Sequence, residues 1–565
     1  MVFSLANQTP GLPARSASRA ALMPFYRLSG VIALLAFIAA AGGLFVPGLY
    51  RENGYMLPQA QGNDLVTLVF ALPLFVGSLL FAVRGSLRAQ VIWLGVLGYL
   101  LYTYITFALD AVFNPFFLLY VAILGLCVFT AVGGLSRVDA ERLRRHFAGE
   151  KTARAMAVYC LALALLVFLM WMGQLLPSLL ANRVPESLEL AGTPTNFVWA
   201  LDLGILIPFL ALTGGWLWRR QSPGYLLAGV VLVKGLTLGL AILGMAFVMW
   251  LNAQPVDPGV LVIALVFVVA ALPFLALYLP RIKAEPQRAA VAPATRTRSI
   301  PRWSFLLPAA IVPLLLLVTL AGLLVPGLYR DNGWVVPQSQ TQDLFILAVA
   351  LPLFVAALVG AARGSQRALL VLLGCLAYFL YGYIHYAFGI RHNQLFLAYV
   401  GLMGLSLYSL IALFSHLDAG SIKASLETHV PENPAAIFLW VAGGLVFLAW
   451  LADVVLSLLA GTVPETVRLA GTPTSVTYAL DMGVLVPACY VAALWLWSRR
   501  AMGYLLAAML LVMTTLIDLV GVPLSLVMGA PGPAAVMGVL AAAGLVVTVA
   551  FLRGFGEGRG SSFWV

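Results

Sequence analysis

The chain has 565 residues, 62% of them hydrophobic and only 9% charged, with a mean hydropathy of +1.01 and a formal net charge of +11. A soluble domain needs more polar surface than this, so the composition excludes one and identifies a polytopic membrane protein. The basic excess calls for no nucleic acid, because Lys and Arg gather at helix ends beside an anionic leaflet.

Following a tail at 1–27, apolar runs recur at 28–48, 64–83, 88–109, 115–135, 156–180, 196–218, 224–251 and 259–280. Each is long enough to cross a hydrocarbon core of ~30 Å as a helix. The strict alternation of a barrel strand is missing, which leaves helices as the spanning solution. The 52 Gly and 32 Pro suit a membrane bundle, where Gly permits close helix contact and neighbouring helices satisfy backbone groups freed by Pro.

Spans 1 and 2 are joined by YRENGYMLPQAQGND, residues 50–64. Asn-Gly suits a tight turn, and Asp64 is placed to N-cap the second helix. Turn and cap leave Arg51 and Gln59 unexplained, and these, together with Asn53, are candidates for recognising a polar or anionic group just outside the bilayer. Span 3 carries Tyr99, Tyr102 and Tyr104, phenols that favour core packing with a hydrogen bond.

The loop between spans 5 and 6 reads VPESLELAGTPTNFVWALDLG, residues 184–204. Glu186 faces outward here, and Thr193-Pro194 reads as N-cap and N1 of span 6. Asp202 then falls eight residues past the Pro, ~12 Å down the helix. Pro208 removes the bond to the carbonyl of Gly204, so the acid sits next to locally broken helix. A carboxyl at that depth costs about 2.5–3.5 kcal/mol on insertion scales and normally faces a bundle interior, a cavity or a partner. Lys234, in span 7, is within reach of it.

Past a Pro/Ala/Arg-rich linker at 281–302, the sequence starts again 279 residues on. VPGLYRENG (46–54) returns as VPGLYRDNG (325–333), RGSLRA as RGSQRA, and VPESLELAGTPT as VPETVRLAGTPT. The expected architecture is all-α, with 16 transmembrane helices in two tandem parallel eight-helix repeats and a pseudo-two-fold axis along the membrane normal. Its segments are the tail 1–27, the first repeat 28–280, the linker 281–302, the second repeat 303–553 and the tail 554–565. The second repeat's spans are expected 279 residues after the first's; its first outer loop keeps Arg330, Asn332, Gln338 and Asp343, and its VPE loop keeps Glu465. Asp481 repeats Asp202, whereas Lys234 becomes Met513. New acids enter at Asp453 and Asp518, and His385 replaces Thr106. Three carboxylates and a His at similar depth suit a proton or cation site if they cluster.

With the N-terminus inside, 26 of the 32 Lys and Arg fall on the cytoplasmic side and five outside, the sixth exception, Lys234, lying within a span. The first span reads as retained rather than cleaved, since its twin lies mid-chain. Only four basic residues are Lys, a bias that fits a GC-rich bacterium and hence a bacterial inner membrane with both termini cytoplasmic. Phosphate-loop, zinc-protease and nucleophile-elbow patterns are missing, and the four Cys form no CxxC pair, so neither cofactor nor metal is expected. The leading expectation is a secondary transporter or permease for a small solute. It is coupled to protons or cations through Asp202, Asp481, Asp453, Asp518, Lys234 and His385, with water or cargo reaching the acids. The alternatives are an intramembrane enzyme working on a lipid-linked substrate with Glu186/Glu465 or Asp202/Asp481 as acid or base, and a non-catalytic assembly or sensor subunit with a membrane partner.

Overall fold

The computed structural model describes residues 14–282, 300–426 and 430–556. Most of the linker and the outer parts of both predicted tails lie outside the described residues.

Among the described residues sixteen helices are long and apolar enough to cross a membrane, and they imply a lipid bilayer environment. They are α1 (Arg19–Phe45), α2 (Leu57–Val83), α3 (Leu87–Leu109), α4 (Phe117–Arg137), α5 (Glu150–Leu180), α6 (Phe197–Trp218), α7 (Ser222–Leu251) and α8 (Pro258–Arg281). After them come α9 (Arg302–Leu324), α10 (Val335–Ala362), α11 (Gln366–Gly389), α12 (Phe396–Phe414), α13 (Glu432–Leu459), α14 (Val476–Trp497), α15 (Ala501–Val527) and α16 (Pro531–Arg553). No strand forms among the described residues, where only two isolated β-bridges occur.

The chain divides into two units. The first holds residues 1–178, 185–193 and 201–294; the second holds 179–184, 194–200 and everything from 295. In the first unit α3 and α7 are the most enclosed helices, 67% buried over their apolar windows against 28% for α8. The second unit is centred on α11 and α15 in the same way. The core helices are the ones that carry the Tyr residues and Lys234, so the polar groups lie inside the bundle rather than toward lipid.

Three local features differ from expectation, each for a backbone reason. The helix α2 begins at Leu57, with Pro58 in its first turn, and α10 at Val335. Asp64 and Asp343 are therefore not N-caps; they lie more than a turn inside continuous helix and are buried. Nor do Thr193-Pro194 and Thr472-Pro473 start the sixth helix of each half. Asn196 caps α6 by accepting from the N–H groups of Val198 (2.9 Å) and Trp199 (3.3 Å), and Ser475 caps α14 from Tyr478 N–H (3.2 Å). Asp202 is thus five residues into its helix, ~8 Å from its start. Finally, α16 starts at Pro531 instead of near 538, because α15 is three residues shorter than α7 and the loop after it, 528–530, is half the length of 252–257.

Proline widens the helices without breaking them. Ahead of Pro73, Pro208, Pro352 and Pro487 lie four π turns, at Thr67–Ala71, Asp202–Leu206, Ile346–Ala350 and Asp481–Leu485. Proline has no N–H for the carbonyl four residues back and its ring crowds that carbonyl. One extra residue in the turn relieves the crowding, and Ile207 N–H then bonds the carbonyl of Asp202, as Val486 N–H bonds that of Asp481.

Candidate functional site

Asp202 opens the π turn of α6 and is 6% exposed. Its Oδ1 accepts from the Tyr102 hydroxyl of α3 at 3.0 Å and its Oδ2 from the Trp171 indole N–H of α5 at 2.8 Å. The carboxyl therefore ties three helices together. Lys234, on α7, holds its Nζ 4.3 Å from the centre of the Tyr102 ring, so its charge rests on the phenol face that orients the acid. No ion pair within 4.0 Å joins Lys234 to Asp202, although the two interact electrostatically.

In the second unit Asp481 is 4% exposed and held alike, with Tyr381 of α11 donating to Oδ1 and Trp450 of α13 to Oδ2, both at 2.8 Å. Here the network runs further. The Trp450 ring stacks on Tyr478 at 4.5 Å, and the Tyr478 hydroxyl donates to Asp453 Oδ2 at 2.5 Å while meeting Thr466 at 2.9 Å. On the other side His385 packs on Tyr381 at 4.6 Å, and its Nε2 lies 3.1 Å from Thr477 Oγ1. Asp453, Asp481 and His385 thus belong to one hydrogen-bonded and stacked series. Asp518 stands outside it: buried on α15, its Oδ2 meets no hydrogen-bond partner among the described residues, and Cys489 of α14 lies within electrostatic range of both Asp481 and Asp518. Asp453 and Asp481 are thus linked through Trp450 and Tyr478, while the Oδ2 of Asp518 has no part in that series. Both Asp202 and Asp481 are buried, at 6% and 4% exposure.

Each unit buries a further acid that is not among the candidates drawn from the sequence. Asp64 accepts from the Tyr50 hydroxyl at 2.5 Å, and Asp343 accepts from Tyr329 at 2.5 Å and Tyr386 at 3.2 Å. Gly43 and Gly322 make room for them: a Cβ at either position would stand 1.9 Å from the carboxylate oxygen. Beside Asp64, the Tyr99 hydroxyl donates to Asn63 at 3.1 Å and lies 2.8 Å from Thr67 Oγ1. The signal that could have found these acids is a Gly, a Tyr and an Asp recurring together at the 279-residue offset. The polarity of PQAQGND suggests a loop, whereas the segment is helix with its polar side turned inward.

The loops joining the first two helices of each unit contact the VPE motif. Asn53 Nδ2 donates to the carbonyls of Leu190 and Ala191, both at 3.0 Å, at the end of the short helix Glu186–Ala191, which stops where Gly192 takes a φ of +68°. Its Oδ1 accepts from Tyr55 and Met56 N–H, starting α2. Asn332 sits beside Gly471 in the matching place. The capacity of Asn53 is thus used within the fold. Glu52 accepts from Val112 N–H at 3.0 Å and Asp331 from Arg391 N–H at 2.9 Å. Gln59 bonds Tyr55 O at 3.2 Å, Gln338 reaches Met528 Sδ at 3.6 Å, and Arg330 bonds Asn182. Arg51, Glu186 and Glu465 remain exposed, the last paired with Arg468 at 3.2 Å.

Burial shapes the electrostatics of these connecting segments. It holds the Glu52 carboxyl above its usual range and pushes Asp331 up to about 6. Burial, with the charge of Glu52 added, pushes Asp110 up to about 7. Burial, followed by the Arg330 guanidinium, pushes His392 down to about 4. Among the described residues no group of three or more His, Cys, Asp or Glu is placed to hold a metal, and the four Cys are free and buried. Comparison with protein-family models, curated proteins and solved structures gave no match.

Proposed function

We propose that this chain is a secondary transporter or permease for a small solute in a bacterial inner membrane, built from two tandem parallel repeats with both termini cytoplasmic. Its coupling to protons or cations runs through Asp202 and Asp481. The observation that carries the reading is the matched clamp: each acid opens a π turn and is gripped by one Tyr and one Trp from two other helices. A widened turn is a place where a helix can change its winding at little cost. Neutral donors hold the carboxyl without neutralising it, so a proton or a cation entering the site competes with the clamp. Under this reading the enclosed conformation is an occluded state. Lys234 beside the first clamp, with Met513 in its place beside the second, gives the two sites different charge and therefore different duties.

The test is solute flux into proteoliposomes across an imposed pH or Na⁺ gradient. Gradient-driven uptake is expected in the wild type and lost in Asp481→Asn. Transport is the wrong class if nothing in a broad solute panel moves and the variant behaves as wild type.

The enclosure itself favours a second reading, an assembly or sensor subunit in which the clamps fix helix packing. At 6% and 4% exposure, with both oxygens bonded, the acids already have what a structural tie requires. A stoichiometric partner retained through purification in mild detergent supports that reading over transport.

A further inference from the structure

The first turns of α1 hold an open cavity of 470 Å³ lined by Arg19, Ala20, Met23, Pro24 and Arg27. Arg19 and Arg27 are eight residues apart, so their side chains leave the helix ~12 Å apart along the axis and about 80° apart around it, and both line the cavity. Neither has an ion-pair partner among the described residues, and both are exposed. Between them Ala20, Met23 and Pro24 form an apolar wall. Arg27 is also the last charge before a charge-free, mostly apolar stretch that runs to Tyr50, which places it where hydrocarbon begins.

The same helix face continues past Arg27. Val31, Leu34 and Ile38 follow at spacings of four, three and four residues and are 45%, 60% and 42% exposed. A two-arginine cavity thus sits at the head of an uncovered aliphatic stripe. Pro24 adds one acceptor: having no N–H, it leaves the carbonyl of Ala20 without its helical donor.

We propose that this face of α1 is a binding site for an anionic phospholipid with hydroxyls in its headgroup, of which phosphatidylglycerol is the simplest. The two guanidiniums take the phosphate through charge-assisted hydrogen bonds, the Ala20 carbonyl takes a headgroup hydroxyl, and an acyl chain lies along Val31, Leu34 and Ile38. A zwitterionic choline headgroup satisfies none of the polar terms as well, since its ammonium is repelled by both arginines and offers no donor to the carbonyl. The counterpart of Arg27 on α9 is Leu306, so the site belongs to α1 alone of these two helices.

The experiment is native mass spectrometry of the full chain in mild detergent, titrated with phosphatidylglycerol or phosphatidylcholine, together with a competition arm using soluble glycerol 1-phosphate. The wild type is expected to retain phosphatidylglycerol in preference to phosphatidylcholine, Arg19→Gln/Arg27→Gln to bind it roughly 25-fold more weakly at about fivefold per guanidinium, and Arg19→Lys/Arg27→Lys to keep most of the affinity. Arg84→Gln, an exposed change elsewhere on the first unit, is expected to bind as wild type. Equal retention of the two lipids overturns the proposal, as does a double Gln variant that binds like wild type with its helicity intact. Displacement of the lipid by glycerol 1-phosphate overturns it too, in favour of a soluble phosphate ester.

Discussion

Tyr102 and Asp202 are 100 residues apart in the chain and joined by a 3.0 Å hydrogen bond; Tyr381 and Asp481, also 100 residues apart, are joined at 2.8 Å. In both places an indole N–H from a residue 31 positions before the acid completes the grip. Removing the acceptor is therefore costlier than removing the charge. Asp202→Ala leaves a buried hydroxyl and a buried N–H without a partner and is expected to lower stability by about 2–5 kcal/mol. Asp202→Asn keeps one acceptor oxygen and is expected to lose about 1–2 kcal/mol. Thermal unfolding in detergent ranks the two; an Ala variant as stable as the Asn variant removes the clamp from the account of the fold.

Gly43 and Gly322 are held to glycine by the acids they face. Alanine at either position drives a methyl into the buried carboxylate of Asp64 or Asp343, so that the acid must shift off its Tyr partner, and about 1–3 kcal/mol of stability is expected to go. At Gly77 a methyl would meet nothing within 4 Å, so Gly77→Ala is expected to be neutral or to gain up to about 1 kcal/mol from helix propensity. Melting curves of the three single variants separate close packing from propensity.

Asn53 is expected to act locally. Replacing it with Ala removes the donors to Leu190 and Ala191 and the acceptor for Tyr55 and Met56. Because the residue is exposed, the cost is about 1 kcal/mol. Hydrogen exchange then speeds up at both 186–191 and 55–57, while Arg51→Ala, an exposed change beside it, leaves both segments unaltered. Faster exchange in only one segment argues against a single Asn serving two helices.

His392 gives the second unit an acid-sensitive point. The imidazole is 3% exposed, packs on Phe396 at 5.1 Å and edge-on to Trp199 at 5.9 Å, and neither ring nitrogen has a hydrogen-bond partner among the described residues. Burial and then Arg330 hold it down at about 4, against about 6.5 in an unfolded chain. Between those values the unfolded state binds the extra proton, so stability falls as pH falls through that window, by about 2 kcal/mol from pH 7 to 5. Asp331, pushed up to about 6 and bonded by Arg391 N–H, opposes this, because an acid that prefers its proton when folded loses stability as pH rises. Subtracting the profile of His392→Phe from that of the wild type isolates the histidine. If the two profiles coincide, the imidazole is not the titrating group.

Much of the architecture is legible in the sequence. The spans from 28 to 280 fall on α1 to α8 within a few residues at most ends, because apolar length in a bilayer leaves the backbone one solution. Helix ends are less legible where polarity suggests a loop: Leu57–Asp64 is helix because a bundle interior accepts Asn63 and Asp64 when Tyr residues meet them. Asp202 and Asp481 stand out by their cost in an apolar run, yet nothing in a linear pattern tells which of several Tyr and Trp reach them.

What the sequence determined by itself is the set of membrane-length helices and the recurrence of its motifs, since both depend on local hydrophobicity and on spacing along one chain. Only the tertiary structure decided that Trp450 and Tyr478 link Asp453 to Asp481, that Asn53 ties two helices, and that Asp64 is a core residue. Those outcomes depend on the rotation of each helix about its axis, and that rotation is set by packing against neighbours distant in sequence.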